Sequence, residues 1–230
     1  MAIFALSDLH LSFGVKDKPM DVFGDRWQNY EIRLKENWTK LIHDDDTVII
    51  AGDVSWAMYL EESLEDFKWI DALPGKKIIL KGNHDYWWET VTKMNNFLKE
   101  NNITTIEFLY NNAIEVKDRI VCGTRYWSED EKTEDNEKVF NREIERAKIS
   151  LNAAKQIDGQ KEIIFVTHYP PDERLVEAIK DYPVTTWLYG HIHSNYEDII
   201  VGSDALVAPY GIKAYLTSGD YLEFMPIKMM

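Results

Sequence analysis

Apolar, largely β-branched runs recur along this chain at residues 2–6, 48–51, 77–80, 163–166 and 186–188, and each is closed by Gly or a polar residue. Short runs of this kind, bounded by turn signals, predict strands buried on both faces, as in a parallel sheet. Between them the period changes. Tyr30, Leu34, Trp38, Leu41 and Ile42 fall at helical spacing and predict a helix over 29–43, and Leu64, Phe67, Trp69, Ile70 and Leu73 repeat the pattern over 61–73. Further helices are predicted at 88–100, 138–157 and 173–181. Strands at 105–109, 112–117 and 119–124 have no helix between them, which predicts an antiparallel meander with Asp118 at a turn. A β-rich tail is expected from Ala205 to Ile227. Alternating strands and helices place the chain in the α/β class.

Length and composition narrow the picture. A chain of 230 residues without a Pro/Gly/Ser-rich linker or an internal repeat is expected to form a single domain over 1–230. The first strand begins at about residue 2, and no run approaches the ~18 apolar residues of a membrane span, so a soluble, cytoplasmic protein is expected. The one cysteine, Cys122, cannot form an internal disulfide and sits in an apolar run, which predicts a buried thiol. A formal charge of −14 argues against a surface that tracks long nucleic acid, while leaving short nucleotides open. The acidic stretch from Ser128 to Glu137 reads as a solvated loop leading into a helix, or as a lid.

The histidines carry the chemistry. All but His43 lie in short motifs that follow the predicted strands: Asp8-Leu9-His10, Gly82-Asn83-His84-Asp85, Thr167-His168-Tyr169 and Gly190-His191-Ile192-His193, with Gly52-Asp53 as a fifth fragment. In open α/β sheets, sites form at the carboxyl ends of strands, so segments distant in sequence can converge there. Carboxylate and imidazole ligands with one amide suit manganese, iron, zinc, nickel or cobalt, whereas magnesium and calcium prefer all-oxygen shells. Two such ions roughly 3.5–4 Å apart can lower the pKa of a shared water and clamp the attacking and leaving oxygens of a displacement at phosphorus. His43 precedes Asp44-Asp45-Asp46 and reads as a solvated helix terminus.

The ordered set Asp-x-His, Gly-Asp, Gly-Asn-His-Asp, Thr-His, Gly-His-x-His, running from residue 8 to residue 193, resembles the calcineurin-like metallophosphoesterase superfamily. The resemblance implies an αββα sandwich of two mixed β-sheets flanked by helices. It also implies two divalent metal ions, one held by Asp8, His10 and His193 and the other by Asn83, His168 and His191, with Asp53 bridging them. His84 would face the substrate and assist departure of the leaving group. The implied activity is hydrolysis of a small phosphate mono- or diester, with a nucleotide among the candidate substrates. A nuclease acting on short or single-stranded ends, or a non-catalytic interaction module on the same fold, are the competing readings.

Departures bear on the site. Ser/Thr protein phosphatases of the superfamily carry an Asp-Arg pair shortly after Gly-Asp, where this chain has Val54-Ser55-Trp56-Ala57-Met58. That leaves the orienting partner of His84 open, with Asp85 its neighbour in sequence. Arg125 is a candidate phosphate contact, since a guanidinium grips phosphate oxygens bidentately; a surface arginine is the alternative. Trp56, Tyr86, Trp87, Trp88, Tyr126, Trp127 and Tyr169 crowd the loops after the motifs. They either pack those loops or form a stacking wall for a base or aryl group, with Trp87 and Trp88 the leading candidates.

Overall fold

The structure is a computed structural model that describes residues 1–16, 18–127 and 134–229. The chain forms two compact units, Met1–Phe108 with Thr217–Met230 and Leu109–Leu216. Each carries one mixed five-stranded sheet with helices, an α/β fold of the expected class.

In the first unit β1 (Ile3–Leu6), β2 (Thr47–Ile50), β3 (Lys76–Leu80), β4 (Ile106–Leu109) and β10 (Ile227–Lys228) are ordered β10-β1-β2-β3-β4. The β1–β2 and β2–β3 pairs are parallel, and β10 closes the edge antiparallel to β1. Parallel neighbours need long crossovers, and helices provide them. Helix α1 (Tyr30–Leu41) buries Tyr30, Leu34 and Trp38 on one stripe, and the Trp38 indole N–H donates to the Pro74 carbonyl at 2.9 Å. The 61–73 segment is a short 3-10 turn followed by α2 (Leu64–Asp71), which buries Phe67 and Ile70. Helix α3 (Val91–Glu100) starts later than its apolar pattern because Thr90 caps it, accepting the Lys93 N–H at 3.3 Å.

The second unit is ordered β5 (Ala113–Val116), β6 (Arg119–Gly123), β7 (Glu162–Val166), β8 (Val184–Tyr189) and β9 (Lys213–Leu216). Only the β5–β6 pair is antiparallel. Helices α4 (Glu134–Ile157), α5 (Glu173–Ile179) and α6 (Tyr196–Val207) complete the unit. Cys122 is fully buried in β6, and that burial pushes its thiol pKa up. The segment 128–133, which includes most of the acidic loop, lies outside the described residues.

Two expectations fail. The three-stranded meander is only a hairpin: β5 and β6 pair across the turn at Lys117 and Asp118, whereas β4 belongs to the first sheet. The β-rich tail from Ala205 to Ile227 is mostly turns: it opens on the end of α6 and a 3-10 turn at Ala208–Tyr210, because β8 and β9 are parallel and need α6 as their crossover, and its strands are only β9 and the start of β10. Ile199, Ile200 and Val201 next to Gly202 favour strand locally, but Ser203 and Val207 make a buried face at i, i+4. Among the described residues, no helix is long and apolar enough to cross a membrane.

One buried charge gives the first unit a pH signature. Lys77 on β3 is fully buried, its Nζ donating to the Leu73 carbonyl and to Thr105 Oγ1, and burial lowers its pKa to about 8. A lysine whose folded pKa is depressed binds fewer protons folded than unfolded, so its contribution to stability rises with pH through that window. Denaturant melts of the wild-type protein and Lys77→Met from pH 7 to 11 should show wild type gaining on the variant between about pH 8 and the ordinary lysine value of about 10.4. A difference that is flat with pH would contradict this.

Candidate metal centre

In the first unit the chain continues past β1 and β2 as two paired segments. Asp8 N–H donates to the Gly52 carbonyl at 2.9 Å, His10 N–H to Asp53 at 3.0 Å, Leu11 N–H to Val54 at 2.9 Å and Trp56 N–H to Leu11 at 2.9 Å. On the other side Ser7 N–H donates to Thr217 at 2.8 Å and Gly219 N–H to Ser7 at 2.9 Å, so the C-terminal stretch laces the Asp8 segment in place. Asp8, His10 and Asp53 are buried, the residues at 0%, 3% and 1% exposure.

All three adopt left-handed backbone, with φ of 56° at Asp8, 45° at His10 and 53° at Asp53. Such φ values cost non-glycine residues free energy and persist where the surroundings over-determine them, commonly at functional sites. Here the strained turns bring ligand-type groups together. Ligand atoms of Asp8 and His10 lie within 4.8 Å of one another, as do those of Asp8 and Asp53, and His10 Nε2 stands 3.8 Å from Asp53 Oδ2. Two neighbouring buried carboxylates in a chain of charge −14 are electrostatically costly unless a cation neutralises them. The donor set therefore fits a divalent ion.

The Gly82–Asp85 loop completes this half. Gly82 follows β3 so closely that a Cβ there would lie 2.1 Å from Asp53 Oδ1 and 2.3 Å from Asp53 N, which only glycine tolerates. His84 N–H donates to Asp53 Oδ1 at 2.8 Å, which fixes the carboxylate and places Asn83 beside it in sequence. Asp85 does not orient His84. Its buried carboxylate accepts the backbone N–H groups of Gly82 at 2.7 Å, Asp53 at 3.0 Å, Val54 at 2.8 Å and Ser55 at 3.3 Å, and the Trp87 indole N–H at 3.0 Å. Asp66 makes a second tie of this kind. It accepts Phe13 N–H at 2.7 Å and the Ser55 hydroxyl, and burial pushes its carboxyl up to about 6 against those hydrogen bonds.

Within the second unit His168 follows β7 and is fully buried. Its N–H donates to the Arg125 carbonyl and its own carbonyl accepts Gly190 N–H, both at 3.0 Å, so the β6, β7 and β8 strand ends are tied around it. Gly123 permits the approach of β6, because a Cβ there would lie 1.9 Å from the Val166 carbonyl oxygen. His191, at φ 71°, packs its ring 5.2 Å from His168 and 4.2 Å from Tyr169. His193 is exposed, and its carbonyl accepts the Tyr196 hydroxyl at 2.9 Å. Arg125 is half-buried directly beside the His168 backbone.

The aromatic residues divide. Trp87 is fully buried, with ring contacts to Phe67 at 4.9 Å, Trp88 at 5.3 Å and Phe108 at 6.2 Å, so it has no free face for a ligand. Trp88 is half-buried and packs edge-on against Phe108 at 5.3 Å. Trp87 belongs to the hydrophobic core of the unit, which takes it out of a stacking wall, whereas Trp88 is partly buried against that core. Trp56 and Tyr86 instead adjoin His84, at ring distances of 4.7 Å and 6.1 Å. His43 is exposed just beyond α1, as expected.

Removing the Asp85 carboxylate strands several buried donors at once, and each unsatisfied one costs about 1–3 kcal/mol. Asp85→Ala should therefore lose at least about 3 kcal/mol of unfolding free energy in urea melts, and a loss below about 1 kcal/mol would mean that the loop is held by other contacts.

Comparison with known proteins agrees with this arrangement. A profile of the calcineurin-like phosphoesterases matches residues 1–195. The gene 66 protein of Mycobacterium phage L5 is 31% identical over 81 residues, a match spanning 34% of this chain and 37% of that protein's length. Among solved structures, AQ665 of Aquifex aeolicus, a protein of unknown function, superposes with TM-score 0.53 at 20% identity, covering 99% of this chain and 95% of that one. Phosphopantetheinyl hydrolase (PptH) of Mycobacterium tuberculosis does so with TM-score 0.53 at 12% identity, covering 100% and 95%. At those identities the structures show a shared fold alone. The profile match covers most of the sequence and takes in every ligand-type motif, so the chain belongs to the calcineurin-like phosphoesterases, metal-dependent hydrolases of phosphate esters.

Proposed function

We propose that this chain hydrolyses small phosphate mono- or diesters with a pair of divalent transition-metal ions, manganese, iron, zinc, nickel or cobalt. Asp8, His10 and His193 would hold one ion, Asn83, His168 and His191 the other, and Asp53 both. The observation that carries the reading is the buried, left-handed trio Asp8, His10 and Asp53, whose ligand atoms crowd together at a cost that a cation offsets. When bound, the ions would supply an acidified water and neutralise charge developing on the phosphate.

The chain's own residues would do the rest. The backbone N–H of His84 holds Asp53 Oδ1, leaving the second carboxylate oxygen beside His10. The His84 ring would deliver a proton to the departing oxygen, and Arg125 would hold a non-bridging phosphate oxygen. The charge of −14 favours a small ester over a long polyanion, and the exposed Tyr86 beside His84 favours an aryl or nucleoside group. The named activity of the PptH neighbour makes a phosphopantetheinyl ester a natural member of the test panel. A non-catalytic module would be expected to have lost ligands, and every ligand type is retained here.

The deciding experiment is a panel of aryl, nucleoside, phosphopantetheinyl, glycerol and sugar phosphates offered to metal-reconstituted protein. Turnover of aryl and nucleoside esters above sugar phosphates is expected, with His84→Ala losing roughly 10²–10⁴-fold and Asp53→Ala losing activity on every ester. No turnover of any ester, or a His84→Ala variant as active as wild type, would contradict the proposal.

A further inference from the structure

His84 lacks the polar support that a proton-donating imidazole ordinarily has. Its Nδ1 is buried and has no hydrogen-bond partner among the described residues, and Asp85, the adjacent acid, is committed to backbone N–H groups and the Trp87 indole. What the ring touches most closely is Trp56, with the His10 ring edge-on at 5.7 Å. The two ring centroids are 4.7 Å apart with planes at 50°, and the same indole stacks on His10 at 5.0 Å and 26°. Tyr86 is farther, edge-on at 6.1 Å, and 53% exposed, so it constrains the imidazole less.

Trp56 is itself anchored at several points. Its backbone N–H donates to the Leu11 carbonyl at 2.9 Å, its Nε1 to Met20 Sδ at 3.0 Å, and the Lys18 ammonium lies 5.4 Å from its ring. The indole is thus a fixed wall on the segment that also carries Asp53. We infer that Trp56 is the residue that positions the His84 imidazole for the leaving group, by ring contact where a carboxylate would do it by hydrogen bonding. The inference rests on the role proposed for His84. Trp56 touches no reacting atom in this scheme and acts through His84 alone.

A positioned acid matters most when the leaving group is a poor one, and aromatic contacts of this kind are worth roughly two- to tenfold. The test compares alkyl phosphate esters with p-nitrophenyl phosphate esters on metal-reconstituted wild type, Trp56→Leu, Trp56→Phe, His84→Ala and the double variant Trp56→Leu/His84→Ala, with metal content measured on each. Trp56→Leu is expected to keep its metal and to lose about tenfold in kcat on the alkyl ester but less than about twofold on the nitrophenyl ester. Trp56→Phe should recover most of that loss, and Trp56→Leu should cost nothing further once His84 is Ala. As an independent readout, the ring-current shift of the His84 ring protons should be present in labelled wild-type protein and absent from Trp56→Leu. Loss of metal from Trp56→Leu, an equal loss on both esters, or an additive loss in the double variant would overturn the inference and assign Trp56 to the support of His10. If His84→Ala is itself indifferent to the leaving group, the role proposed for His84 falls, and the inference about Trp56 falls with it.

Discussion

The carboxylate of Asp85 is the constraint on which the first unit's ligand geometry depends. It gathers N–H groups from Gly82 and from Asp53, Val54 and Ser55, so two loops that leave neighbouring strands are held at fixed separation by one side chain. Hydrogen bonds to a charged acceptor are stronger than neutral ones, and here they are out of water, where their strength is greatest. With those loops fixed, Gly82 can abut Asp53, His84 N–H can reach Asp53 Oδ1, and Asp53 can keep a backbone angle it would otherwise leave.

The same network explains how an acidic chain tolerates buried acids. Asp8, Asp53, Asp66 and Asp85 are all buried in the first unit, yet they are treated differently. Asp66 and Asp85 are spent on backbone donors and serve as scaffold. Asp8 and Asp53 are aimed at the ligand cluster, and the left-handed turns that aim them leave a cation as their best compensation. Stability held in the scaffold thus offsets strain concentrated at the site.

Much of this was legible in the sequence, for identifiable reasons. The strands preceding the motifs are apolar and β-branched, so β1, β2, β3, β7 and β8 stand where the pattern predicts, and each ligand-type residue follows a strand end. Patterns fail where long-range pairing decides. Nothing local separates β4 from β5, and Ala205–Val207 close α6 because β9 pairs parallel to β8 and needs that helix as its crossover. The duties of individual aromatics were equally hidden. Trp87 adjoins the most informative motif yet lies in the core, while Trp56, three residues past Asp53, meets His84. Asp85 was visible as a neighbour of His84, but adjacency could not reveal that its oxygens face the backbone of residues 53–55.

The central claim is that these buried acids and imidazoles are built around a pair of ions, and metal stoichiometry tests it most directly. Elemental analysis, with anomalous scattering from crystals of the reconstituted protein, should find two transition-metal ions per chain in wild type and in His84→Ala, with the pair lost in Asp53→Ala. A wild-type chain that takes up no metal after reconstitution, or a His84→Ala variant that releases it as readily as Asp53→Ala, would contradict the account.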